Sequence, residues 1–201
     1  MTSADVGRYP RTIHGEAGDL QLRYMTAADE AAVLAFARAL PDHDLLFLPR
    51  DIAQPKVLAA WIAQIERGLL TTLLASRSGT LVGCATIACE EFSWSAHVGE
   101  IRVVVAADMR GEGIGRLLIQ ETFRIALQLR LEKLTAQMTV DQRVAIAVFE
   151  SMGFRGEALL RDHVKDRAGI KHDLVILSHD VARFQSQMEA YGAAEVANFT
   201  R

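Results

Sequence analysis

Gly111, Gly113 and Gly115 stand at alternate positions in RVVVAADMRGEGIGRLLIQ, between an apolar run at 103–105 and an amphipathic one opening at Ile114. Glycine costs conformational entropy wherever it is fixed, so three within five residues imply a turn whose backbone has to be bare. A strand that passes through bare backbone into a helix makes an anion site. The first helical turn has N–H groups without intrahelical partners, and the helix dipole adds about half a positive charge there. Arg110 and Arg116 flank the turn and can add charge-assisted contacts. The chemistry served is the holding of a phosphate or diphosphate; a plain tight connection is the alternative, for which one glycine suffices. Two other phosphate loops fail on specific residues. A P-loop needs Gly-Lys-Ser/Thr where Gly115-Arg116-Leu117 stands. A dinucleotide fold needs G-x-G-x-x-G and an acid ending the next strand; the spacing here is G-x-G-x-G, and KLTAQM ends without an acid.

The elements around the turn follow from periodicity. TIH (12–14) and LQLRYM (20–25) predict an N-terminal hairpin about Gly15–Gly18. Thr26 with Asp29 resembles a capping box opening a helix that Pro41 stops. Pro55 and Gly68 bracket a second helix with Val57, Leu58, Trp61, Ile62 and Ile65 on one stripe. Strands are expected at 69–76, 80–91 and 98–106, then a helix to about Arg130, a strand at 133–138 and a helix at 144–152. A final hairpin follows, and Val181, Phe184, Met188 and Tyr191 predict a terminal amphipathic helix, docked on the sheet or forming a dimer contact. The order ββ-α-α-βββ-α-β-α-ββ describes a mixed α/β sheet with helices on its faces.

With this context, Arg110-Gly111-Glu112-Gly113-Ile114-Gly115 matches Arg/Gln-x-x-Gly-x-Gly/Ala and resembles the GCN5-related N-acetyltransferase (GNAT) superfamily. AIAVFESMGF (145–154) is similar to a second family pattern, Ala-Ile-x-Leu-Tyr-Glu-x-Leu-Gly-Phe. The resemblance spans residues 20–178, with 1–19 as an extension and 179–201 as a terminal helix and tail. It implies a single α/β (α+β) domain whose mixed, mostly antiparallel sheet has splayed central strands, with acetyl-CoA wedged between them. By resemblance, backbone at Val103 and Val105 pairs with the pantetheine arm, and amides from Gly111, Gly113, Ile114, Gly115 and Arg116 hold the diphosphate. Gln142 and Phe149 belong to the same cofactor-binding set.

The implied reaction is direct attack of a primary amine, carried by a small molecule or by a protein, on the thioester. It needs a base, an oxyanion donor and an outlet for the thiolate. Resemblance assigns the oxyanion to the Val105 N–H and the base to Glu100, where the family often has an acid; an ion pair with Arg102 is the alternative for Glu100. The sequence departs from the family at two positions. Phe149 stands where many members have a tyrosine acid, and Gln142 where an asparagine is frequent. Loss of a general acid costs about 10²–10⁴ in rate, so an acyltransferase is expected, with a non-catalytic acyl-CoA sensor as the alternative.

Composition bounds the rest. A net charge of −3 disfavours a nucleic-acid partner, and no apolar run is long enough for a membrane span. With no secretion signal in MTSADVGRYPRT, a cytoplasmic protein is expected. Cys84 and Cys89, five apart on one strand, fall on opposite faces and read as reduced core residues. Asp42, His43 and Asp44 read as a solvated acidic loop rather than an acceptor wall. His163 and His172 read as a surface pair, so no metal is expected. Glu90 and Glu91 are expected at a hairpin mouth. Trp94 is expected either to cover the acceptor cleft or to pack in its turn.

Overall fold

A computed structural model describes residues 9–15, 18–47, 50–90 and 92–182. It holds eight strands: β1 (Arg11–Ile13), β2 (Leu20–Tyr24), β3 (Leu70–Arg77), β4 (Thr80–Cys89), β5 (Val98–Val105), β6 (Lys133–Thr139), β7 (Arg155–Lys165) and β8 (Lys171–Asp180). Four helices join them: α1 (Glu30–Ala39), α2 (Pro55–Glu66), α3 (Ile114–Gln128) and α4 (Arg143–Ser151). The strands form one sheet in the order β1-β2-β3-β4-β5-β6-β8-β7. Every pairing is antiparallel except β5 with β6. The expected α/β architecture and element order are those observed; the terminal stripe beyond Val181 lies outside the described residues, as does Glu91.

Strand alternation sends side chains into two cores. One, with Leu73, Ile101, Leu118, Phe123 and Phe154, lies beneath α3 and α4; the other gathers Leu74, Val104 and the Leu58, Trp61 and Ile62 stripe of α2. Cys84 faces the second core and Cys89 packs against the first, both as free thiols. Burial pushes the Cys84 thiol up to about 12, which makes it inert packing.

The central strands part company. β5 pairs with β6 only from Val98 opposite Lys133 to Ile101 opposite Ala136. Beyond that point β5 keeps β4 alone, with Val105 opposite Gly83, and β6 keeps β8 alone, with Thr139 opposite Leu174. A gap therefore opens from Ile101 to the end of β5, and β5 leads straight to the glycine turn. A 3₁₀ segment, Asp42–Phe47, lies against both parted strands.

Candidate active site

The turn after β5 needs its glycines for two distinct reasons. Gly111 and Gly113 have φ of +83° and +80°, a region that costs side-chain-bearing residues about 1–2 kcal/mol. A Cβ on either would meet nothing within 4 Å, so both face open space and leave the backbone bare. Gly115 differs: it is helical, and a Cβ there would make an ordinary 3.7 Å contact with Val105 Cγ2. Alanine fits that position, in keeping with the Gly/Ala alternative of the motif.

Gly113 is the N-cap of α3, and no side chain caps it. The first intrahelical bond runs from the Leu117 N–H to the Gly113 carbonyl at 2.9 Å. The N–H groups of Ile114, Gly115 and Arg116 thus open the helix without a helical acceptor, as an anion site requires. The strand before it offers a second set of donors. The Ala106 N–H is given to Val82 O of β4 at 2.9 Å. N–H directions alternate along a strand, so those of Val105 and Val103 point the other way, toward the gap. A ligand with a diphosphate at one end and an extended, amide-bearing arm fits this combination.

The flanking arginines are not idle. Arg110 is ion-paired with Asp44 of the 3₁₀ segment, and Arg116 Nη1 reaches Ser151 Oγ at 3.3 Å. Asp44 is buried, at 7% exposure, so the reading of a solvated loop fails at that residue, while Asp42 and His43 are exposed as expected. Asp42 and Asp51 both hold Arg167 of the β7–β8 turn. Gln142 fastens the same segment from beneath, its Oε1 accepting the Thr139 N–H at 3.0 Å and its Nε2 donating to His43 O at 3.3 Å. Phe149 is buried, edge-on to Phe154 with ring centroids 5.0 Å apart, and carries no proton to give.

Glu100 accepts Arg102 Nε–H at 2.8 Å, and the pair is partly exposed on the α1–α2 face. Glu100 also lines a cavity of about 590 Å³ with His43, Arg50, Gln137, His163 and Leu174. The ion pair expected as the alternative for Glu100 is present, and its carboxylate also faces the cavity. His172 pairs in register with Val164, not His163; its Nε2 lies 3.0 Å from Asp166 and its Nδ1 3.9 Å from Asp141. Burial tends to raise the Asp141 carboxyl, but the Thr139 hydroxyl and the charges of His43 and His172 hold it below the usual range. Among the described residues no three His, Cys, Asp or Glu side chains are grouped to hold a metal ion. Trp94 is fully exposed at 101%, so it neither covers a cleft nor packs in its turn.

Residues 39–154, more than half of the chain, match the model of the Acetyltransferase (GNAT) family. The chain belongs to that family. A GNAT relative by structure, a ribosomal-protein-alanine N-acetyltransferase from Brucella melitensis, is 26% identical with a TM-score of 0.68, covering 79% of this chain and 98% of its own. A spermidine N-acetyltransferase chimera involving Vibrio cholerae is 16% identical with a TM-score of 0.69, over 83% of this chain and 98% of its own. A Salmonella typhimurium protein solved with its cofactor acetyl-CoA is 19% identical with a TM-score of 0.68, over 81% and 94%. The last two establish likeness of fold alone. No curated protein matches the chain by sequence.

Against this GNAT frame, sequence reasoning missed the partners of the glycine turn. Asp44 is 66 residues from Arg110, and no local spacing announces such a pair. It also missed Arg50, which lines two cavities at once. Among the described residues no helix is long and apolar enough to cross a membrane.

Proposed function

We propose that the protein transfers an acetyl group from acetyl-CoA to a primary amine by direct attack on the thioester. The observation that carries this is the continuity of donors: the outward N–H groups of Val103 and Val105 run into the uncapped start of α3. Acetyl-CoA supplies an acyl group on a thiolate leaving group, whose ordinary thiol pKa of about 8.5 makes it a tolerable one near neutrality. The amides of Ile114, Gly115 and Arg116 bind the diphosphate, and Gly111 and Gly113 keep its approach clear. Along the arm from the diphosphate, Val103 lies beyond Val105 and nearer Glu100. Of the two outward N–H groups, that of Val103, rather than the expected Val105, therefore steadies the developing oxyanion. Glu100 takes the ammonium proton of the incoming amine, directly or through water, with Arg102 holding its carboxylate in place.

Phe149 favours a second reading, an acyl-CoA sensor without turnover. Release of CoA from acetyl-CoA across a panel of amines separates the two. We expect release above background hydrolysis with at least one class of amine; CoA binding without such release leaves the sensor. With Phe149 apolar, the thiolate leaves without a side-chain acid, and Phe149→Tyr is expected to raise kcat more than tenfold. An unchanged kcat would place the limiting step elsewhere. Thermal shifts with CoA, NAD and ATP test the choice of nucleotide, since a native-state ligand raises the melting temperature.

A further inference from the structure

A second cavity, of about 530 Å³, opens beside the first between α2 and the ends of β3 and β4. Its size suits a small organic ligand. Ile52, Val57, Trp61 and Leu70 give it an apolar wall. Its charged lining among the described residues is unequal: Arg50, Arg67 and Arg102 stand against the carboxylate of Glu90. Arg50 and Arg67 form no ion pair with any described residue. Arg102 commits its Nε–H to Glu100, and its terminal nitrogens have no described acceptor.

Two features tie this cavity to the reaction. Arg50 lines both cavities, so they share a wall. Glu100 lines one and Arg102 the other, and the 2.8 Å bond between them links the two spaces. A molecule anchored at Arg102 is therefore one side chain from the group that takes the amine's proton. Uncompensated guanidinium groups in a partly enclosed space attract anions, and their planar forks match a carboxylate in two-point geometry. The apolar wall takes a hydrocarbon body.

We infer that the cavity between α2 and β3–β4 binds the acceptor, and that the acceptor is an amine bearing a carboxylate and an apolar side group. This rests on the acetyl-transfer reading for its amine and on the cavity alone for its anion. The carboxylate can belong to a free amino acid or to an acidic side chain next to a peptide's N-terminus. The shared chemistry is the same: the anion lies among Arg50, Arg67 and Arg102, and the amine lies over Glu100.

The test compares acceptors that differ by one charge. CoA release is measured with phenylalanine against phenylalaninamide, and with alanyl-glutamyl-leucinamide against alanyl-glutaminyl-leucinamide. In at least one pair the charged member is expected to be favoured tenfold or more in kcat/KM. A response of the first pair alone assigns a free amino acid, and of the second alone a peptide. In Arg67→Gln the preference should fall toward one, mainly through KM, with the melting temperature unmoved; Arg67→Lys should restore part of it. Equal rates within both pairs would overturn the inference, as would a preference untouched by Arg67→Gln. A titration without turnover keeps the two readings apart. N-acetylphenylalanine should bind the wild type at least tenfold tighter than N-acetylphenylalaninamide, with the difference lost in Arg67→Gln. Equal or absent binding of the two overturns the anion site, unless the peptide pair alone has responded, in which case N-acetylalanyl-glutamyl-leucinamide and its glutaminyl counterpart take their place and the same outcomes decide. If no amine releases CoA, acyl transfer fails and this titration alone decides the site.

Discussion

Asp29 shows how much a single side chain can hold. Its carboxylate accepts Arg23 Nη2–H and Nη1–H at 2.5 and 2.8 Å, together with the Thr26 N–H at 2.9 Å. The Arg23 bonds chiefly, and those of Thr26 after them, bring its pKa down to about 2 against the opposing effect of burial. The folded value lies below the unfolded one near 3.9, so this stabilisation is complete above about pH 4 and is lost as pH falls through about 2. Arg23 is 45% exposed, so we discount the full shift for solvent screening and expect about 1–2 kcal/mol. Asp29→Asn should lose that amount at pH 7, measured by urea midpoints, and little at pH 2; an equal loss at both would contradict the assignment. The capping box that places Asp29 was legible because its members are three residues apart. Glu121 was not. Its spacing puts it on the apolar stripe of α3, seven residues after Ile114 and four before Ile125; there it is fully buried, accepts the Tyr9 hydroxyl at 2.6 Å and pairs with Arg11 and Arg124. Arg124 is three residues on, but Tyr9 and Arg11 are more than a hundred residues away and leave no periodic trace.

At the scale of elements, the 3₁₀ segment Asp42–Phe47 is the piece that the sequence concealed. Its acidic residues have the composition of a solvated turn, but Asp44 reaches Arg110, Asp42 reaches Arg167, and Gln142 holds the His43 carbonyl. These bonds fasten the segment across the parted strands and to the glycine turn. Gln142→Ala should cost about 1–3 kcal/mol, because the buried Thr139 N–H loses its acceptor. It should also weaken acetyl-CoA-dependent turnover by loosening the segment against the gap. A fall in the urea midpoint without change in KM for either substrate would show that the bond is structural only. By contrast, α2 was legible almost entire. Pro55 opens it, Gly68 at φ +75° follows its end, and its stripe faces the core as the 3.6-residue period requires.

For the whole molecule, the mixed, mostly antiparallel sheet and the parting of its central strands followed from the resemblance, because the motif, the strand before it and the helix after it all agreed; the order of strands within the sheet did not. What stayed hidden is everything built by long-range assembly: the pairing of the glycine turn with the 3₁₀ segment, and the two cavities joined at Arg50. Both cavities are put together from separate loops and strand ends, and each contributes a few side chains with no shared spacing. The proposed diphosphate grip is different. It is local backbone, written in glycines, and the rest of the proposed chemistry depends on it. Calorimetric titration of CoA into wild type and Gly113→Val tests it most directly, since a side chain at φ +80° on the N-cap of α3 strains the turn and fills the bare approach. We predict micromolar-or-tighter binding to the wild type and at least a hundredfold loss in the variant, with the melting temperature of the free variant lowered by only a few degrees, as a backbone strain of about 1–2 kcal/mol requires. Equal affinity for the two proteins would contradict a diphosphate held at the start of α3.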